Sequence, residues 1–128
     1  MAESNQGRVG WVDLTVDRAD TVRDFYSAVL GWEAEGLEMG GYDDYVMTPS
    51  GSDEPAAGVC HRKGANADLP PQWIVYFTVD DVEAAVQAAL RRGGTLVRQQ
   101  TDASFALIRD PAGAIFALSA GETEEDAE

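Results

Sequence analysis

The chain has 128 residues, 45% of them hydrophobic, one cysteine and a formal net charge of −14. That length supports one globular domain with its own core, and a lone Cys60 excludes an intrachain disulfide and fits a reducing, cytoplasmic setting. No basic stripe exists to neutralise phosphates and no apolar run is long enough for a signal peptide or membrane span, so nucleic acid and membranes are excluded as partners.

In chain order, residues 1–7 are polar and read as a flexible arm. Val9 to Val16 alternates as a strand, with Val12, Leu14 and Val16 on the face that should meet helices and Trp11, Asp13 and Thr15 on the other. A helix follows at once. Asp17 is placed to cap it, with Asp20 answering three residues on, and Val22, Phe25, Tyr26, Val29 and Leu30 form an apolar stripe that should cover a sheet. Gly31 stops it. Trp32 to Leu37, Tyr42 to Thr48 and Ala56 to Arg62 read as strands, joined by a Met39-Gly40-Gly41 turn and a loop from Pro49 to Pro55.

Lys63 to Gln72 is a linker of Gly, Asn, Asp and Pro, and then the pattern begins again. An offset of 63 (74 − 11 = 63 and 94 − 31 = 63) lays Val12 on Val75, Thr15 on Thr78, Val16 on Val79, Asp17 on Asp80 and Gly31 on Gly94. The second copy gives a strand from Trp73 to Val79 and a helix from Asp80 to Arg92, capped by Asp80 with Glu83 and faced by Val82, Ala85, Val86, Ala89 and Leu90. Three further strands follow, Thr95 to Arg98, Phe105 to Asp110 and Ala114 to Ser119, with Asp110-Pro111-Ala112-Gly113 as the last turn. The chain therefore divides into an arm (1–7), an N-terminal βαβββ module (8–62), a linker (63–72), a C-terminal βαβββ module (73–119) and an acidic, disordered tail (120–128), all within one α+β domain.

The doubled plan, with WVDLTVDRADTVRDFYSAVLGW at the front, WIVYFTVDD after the linker and IRDPAGAIFAL at the end, resembles the vicinal oxygen chelate superfamily. That superfamily holds glyoxalase I, bleomycin-resistance proteins, fosfomycin-resistance enzymes and extradiol dioxygenases. The resemblance covers roughly residues 8 to 119 and implies a mixed sheet curled into a cup, helices outside, a small ligand inside and a homodimer. In metal-dependent relatives of this kind, His and Glu ligands stand on the first and last strand of each module. Carried over, those positions fall at Trp11, Ile74, Gly58 and Ala117, none of which offers an imidazole, carboxylate or thiolate. The expectation is a site without a metal or other cofactor.

On the cup face that the resemblance implies, Asp13 is the candidate that carries chemistry, flanked by Trp11 and Thr15. It reads as a ligand for a cationic or hydroxylated molecule, as a catalytic base with a pKa raised by burial, or as a structural hydrogen-bond acceptor. Trp11, Tyr45, Tyr76 and Phe105 offer an apolar lining for a planar ligand, with Thr15, Met47, Cys60 and Thr78 beside them. Trp32, Trp73 and Phe77 are assigned to packing. His61 has the opposite strand parity to Cys60 and is expected to turn away toward the rim or surface, with a ligand or general base as the lesser reading, and Asp43-Asp44 reads as a solvated turn pair first and a site second. Arg109 reads as a surface salt-bridge partner or as a cation at the mouth of the cup. The resulting function is binding of a small organic molecule without a metal, in the manner of bleomycin-resistance proteins. The alternative is an enzyme of the same superfamily, a lyase, isomerase or dioxygenase-like member, either metal-free with Asp13 as its base or using unusual ligands. A third reading is a dimeric domain whose cup is filled by its own side chains.

Overall fold

The computed structural model describes residues 6–64, 67–99 and 104–120. Most of the N-terminal arm, part of the linker and all of the acidic tail after Ala120 lie outside them, and Ala120 itself belongs to the last strand rather than to the tail. The elements are β1 (Arg8–Val16), α1 (Ala19–Leu30), β2 (Trp32–Glu38), β3 (Asp43–Pro49), β4 (Ala57–His61), β5 (Trp73–Val79), α2 (Val82–Arg91), β6 (Thr95–Gln99), β7 (Phe105–Arg109) and β8 (Ile115–Ala120). The fold is α+β, two βαβββ modules, as the repeat implied.

The chain forms two compact units, one of Trp11–Trp73 and one of the residues up to Gly10 with those from Ile74 onward. In the first, the strand order is β2-β3-β4-β1, β1 and β4 being parallel and the rest antiparallel. The second repeats it as β6-β7-β8-β5, again with the first and last strands parallel. The residues before Trp11 are tied to the second unit, where the Gly7 amide donates to the Thr78 carbonyl at 2.7 Å and the Asp80 amide to Gln6 Oε1 at 2.7 Å.

Each unit buries the helix-facing side of its strands. In the first, Ala19, Met47 and Val59 are enclosed and Val22, Tyr26, Trp32, Tyr45 and Trp73 pack around them. Trp73 Nε1 donates to Tyr26 Oη at 3.1 Å, and the Tyr26 ring lies 5.2 Å from Trp73 and 6.0 Å from Trp32, so both tryptophans pack as expected. The second core is aliphatic, made of Val79, Val82, Val86, Ala106, Ile108 and Leu118. Phe77 packs against it, 5.6 Å from Phe116.

Three local expectations are corrected. Asp17 does not cap α1: Arg18 holds the N-cap position with no side-chain bond, and Asp17 lies 3.6 Å from Arg62 instead. In the second module the cap is Asp81, one residue later than Asp80, accepting from the Ala84 amide at 3.1 Å. The left-handed residue that ends α1 is Gly31 (φ 75°), but after α2 it is Gly93 (φ 97°) rather than Gly94. The apolar stripe of α1 is also wider than the surface it covers. Val22 and Tyr26 face the strands, whereas Phe25, Val29 and Leu30 are 58%, 60% and 52% exposed.

Candidate functional site

Parallel pairing places Asp13 opposite Gly58 and Thr15 opposite Cys60, so these four lie on the face of the first unit turned away from α1. Trp11 shares it by alternation. The indole Nε1 of Trp11 donates to Asp13 Oδ1 at 2.6 Å, a short charge-assisted bond that fixes the carboxylate. Gly58 supplies the room. A Cβ on Gly58 would collide with Asp13 Oδ1 and come to 3.5 Å from Trp11 Nε1, so the bare backbone is what the carboxylate rests against. Asp13 and Trp11 are half-buried and Thr15 is buried.

Asp44 belongs to the same face, although the sequence reads it as a solvated turn residue first and a site residue second. The antiparallel register sets Val46 opposite Gly58, and two residues back Asp44 comes beside the end of β4. It is only 8% exposed, because its Oδ1 accepts the His61 amide at 2.8 Å and its carboxylate accepts the Cys60 thiol. Burial pushes the Cys60 thiol well above the usual thiol range, and the charges of Asp13 and Asp44 push it further. Cys60 is therefore a neutral hydrogen-bond donor on this face and has no nucleophilic character at neutral pH.

Tyr45 and Met47 do not belong to this face. Their cross-strand partners are Val59 and Ala57, which point toward α1. Met47 is fully buried in the helix-side core, and the Tyr45 ring lies under the Arg23 guanidinium at 4.7 Å. β3 registers on β4 so that Tyr45 and Met47 share the helix-side parity of Val59 and Ala57, and it is Val46 that faces Gly58. His61 has the parity expected of it, on the side of Val59 and away from Asp13. It is not a surface residue: its side chain is 12% exposed, its ring lies 5.5 Å from Tyr42 and 6.3 Å from Tyr45, and Nδ1 donates to the Asp43 carbonyl at 2.8 Å.

In the second unit Tyr76 stands opposite Ala117 and Thr78 opposite Ser119, the latter also paired with Phe105. Tyr76 and Phe105 lie 5.7 Å apart, a tilted pair on the face turned away from α2. The predicted residues thus fall into two groups, Trp11, Asp13, Thr15 and Cys60 in one unit and Tyr76, Thr78 and Phe105 in the other. The register also makes Asp13–Gly58 and Tyr76–Ala117 corresponding pairs of the two modules.

Among the described residues no three His, Cys, Asp or Glu side chains converge as a metal requires. At the positions assigned from the resemblance, Trp11 uses its only polar atom to donate to Asp13, and Gly58 has no side chain.

Two modules of this topology, pairing first and last strands in parallel around a helix, define a glyoxalase-like architecture. Residues 11–119 match the model of the glyoxalase-like domain family, and the chain belongs to it. Among curated proteins it is 32% identical over 116 residues to CFP32 of Mycobacterium bovis, named as a glyoxylase, covering 88% of this chain and 43% of that protein. It is 35% identical over 115 residues to the anthracycline biosynthesis protein DnrV of Streptomyces peucetius, covering 88% of this chain and 41% of DnrV. The chain thus spans less than half the length of these relatives. Methylmalonyl-CoA epimerase of Mycobacterium tuberculosis shares the fold with a TM-score of 0.58 at 21% identity, over 100% of this chain and 97% of that one. A glyoxalase/bleomycin resistance protein/dioxygenase superfamily member from Vibrio splendidus 12B01 does so at 0.56 and 18%, over 91% and 100%. No helix among the described residues is long and apolar enough to cross a membrane.

Proposed function

We propose that this glyoxalase-like chain binds a small organic molecule without a metal, and that Asp13 is its polar anchor. One observation carries the reading: Asp13 is held between the Trp11 indole and the bare backbone of Gly58, on a face where it remains half-buried. A carboxylate fixed in this way meets a ligand's cationic or hydroxyl donor with little ordering cost. Trp11 and Thr15 flank it; Tyr76, Thr78 and Phe105 form a separate group within the second unit. Cys60 and Asp44 lie on the same face beside Asp13, with the thiol neutral.

The reading extends to the assembly. A homodimer in the cytoplasm is supported by the exposed Phe25, Val29 and Leu30 of α1, by the family resemblance and by the unpaired Cys60. Light scattering then gives twice 13.7 kDa.

Native mass spectrometry of untagged protein as purified tests the core of the proposal. A protein free of metal and carrying an organic adduct is expected. The adduct is then re-added to stripped protein, quenches Trp11 fluorescence in the native chain, and binds at least about tenfold more weakly to Asp13→Asn. Stoichiometric metal would overturn the metal-free reading. Turnover of the adduct that is lost in Asp13→Asn while binding persists would replace the binding protein with an enzyme using Asp13 as its base.

A further inference from the structure

The two modules place opposite charges at one corresponding position, on the strand face that each turns away from its helix. In the first, β2 pairs with β3 without interruption, and Glu35 faces Val46, whose other partner is Gly58. In the second, Arg98 lies 63 residues further on (98 − 35 = 63) and faces Leu107, whose other partner is Ala117. A slip in the pairing brings it there. Leu96 faces Ile108, the next residue to be paired is Arg98, and Val97 is left over as a bulge. In a regular ladder Val97 would face Leu107, and Arg98 would turn toward the helix side beside Ala106. A bulge on an edge strand re-aims a side chain in this way. Gln99 fixes the sense of the result: its Nε2 donates to Glu83 Oε1 of α2 at 3.1 Å, so its neighbour Arg98 stands on the other side of the sheet.

That side carries the tilted Tyr76–Phe105 pair, both rings half-buried and 5.7 Å apart. Phe105 and Arg109 are the diagonal neighbours of Arg98 across β6 and β7, at about 7–8 Å between α-carbons, a span that long and aromatic side chains bridge. Arg109 is exposed and Arg98 half-buried. The strands β5 to β8 contain no acidic residue, whereas the corresponding face of the first unit holds Asp13, Glu35 and Asp44. Asp110, which follows Arg109, is committed to its turn, its Oδ1 accepting the Ala112 and Ala114 amides at 2.8 and 3.0 Å. The carbonyl end of α2 is remote as well, because Arg98 stands level with the first turn of that helix and across the sheet from it. In a chain of net charge −14, a strand face with two arginines and no carboxylate selects for an anion. A guanidinium beside a pair of rings matches a planar one, which it meets through two parallel hydrogen bonds while the rings take an aromatic body.

We propose that the face of the second unit turned away from α2 binds a small aromatic carboxylate, its ring against Tyr76 and Phe105 and its carboxylate on Arg98. This site lies within the second unit, goes beyond the Asp13 reading and does not depend on it.

The test is a titration of the intact chain with benzoate, followed by the amide chemical shifts of Arg98, Phe105 and Ala117. A saturable shift is expected at all three, with benzyl alcohol binding at least about tenfold more weakly because it offers Arg98 no carboxylate. Arg98→Gln should weaken benzoate by a similar factor, and Arg98→Lys, which keeps the charge and loses the fork, by less. Arg91→Gln, which removes an equal charge from the last turn of α2, should leave the affinity unchanged. Phe105→Leu should weaken benzoate by about two- to tenfold through the lost ring contact. Absence of a saturable shift would overturn the proposal, as would equal binding of benzyl alcohol, undiminished binding in a folded Arg98→Gln, or an equal loss in Arg91→Gln. Shifts confined to the amides of Asp13 and Gly58 would put benzoate on the first unit and overturn it as well.

Discussion

In the N-terminal module the residue of β1 that faces Gly58 is an aspartate, and in the C-terminal module the residue of β5 that faces Ala117 is Tyr76. The backbone register is the same, but one pair holds a charge over a bare backbone and the other sets a phenol ring beside a methyl group. On the helix side the contrast is reversed. The first module packs Tyr26, Trp32 and Trp73 around Met47, whereas the second encloses only aliphatic side chains around Ile108, with Phe77 and Phe116 half-buried at its edge, and leaves a hollow. A duplicated plan thus fixes where side chains stand without fixing their chemistry, and the two modules differ on both faces.

The largest effect that probes this contrast comes from the two corresponding core residues. Met47 and Ile108 are both fully buried, each one step along its strand from the residue opposite Gly58 or Ala117. Truncation of either to alanine should cost about 2–5 kcal/mol by urea denaturation. Ile108→Ala should lie toward the upper end, because the volume removed joins an existing hollow that neighbouring side chains already fail to close. Equal costs would mean that the hollow collapses when enlarged.

Gly58→Ala comes next. Its new methyl meets Asp13 Oδ1, and the strain of overpacking is expected to cost about 1–3 kcal/mol. The added variant Asp13→Ala should recover most of that loss, since the collision is with this one side chain. The converse change in the other module, Ala117→Gly, should cost roughly 0.5–1 kcal/mol through backbone entropy, with no rescue by Tyr76→Ala. A Gly58→Ala loss that persists without the Asp13 carboxylate would place the constraint in the strand backbone and remove the cradle.

The helix caps give a smaller contrast. Asp81→Ala removes a bonded cap and should lower stability by about 1 kcal/mol. Asp17→Ala removes only an exposed ion pair with Arg62 and should fall within about 0.5 kcal/mol of the native chain. Thermal melts of the two variants separate these outcomes, and equal losses would restore Asp17 as a cap.

The repeat, the order of elements, Gly31 as a helix stop and the parity of Trp11, Asp13, Thr15 and His61 were all legible in the sequence, because each depends on periodicity within one element. The sides taken by Tyr45 and Met47 were not. They depend on how β3 registers on β4 across the Pro49 to Pro55 loop, which no local pattern specifies. Asp44 was hidden for a related reason: beside Asp43 in a glycine-rich stretch it reads as solvated, and its burial arises from the His61 amide and Cys60 thiol about 17 residues away in the chain. Gly58 carried a signal that was available, since glycine inside a strand marks a close approach.

Cys60 offers the smallest effect and the most direct probe of how charge is held on the Asp13 face. Its pKa in the folded chain is raised above the 9.0 of an unperturbed thiol, by burial first and then by Asp13 and Asp44. The native chain therefore keeps a proton that the unfolded chain releases, so this contribution to stability is complete below pH 9.0 and declines as the pH rises beyond it. Cys60→Ala should flatten that decline in urea midpoints measured on either side of pH 9.0, while leaving the neutral-pH slope unchanged. In the native chain the thiol should resist iodoacetamide at mildly alkaline pH and react on addition of denaturant. Asp44→Asn and Asp13→Asn should each speed alkylation less than unfolding does, because burial is the dominant cause and the charges are secondary. Rapid alkylation of the folded native chain would show that solvent reaches the thiol and that the Asp44 carboxylate bonded to it is not enclosed with it.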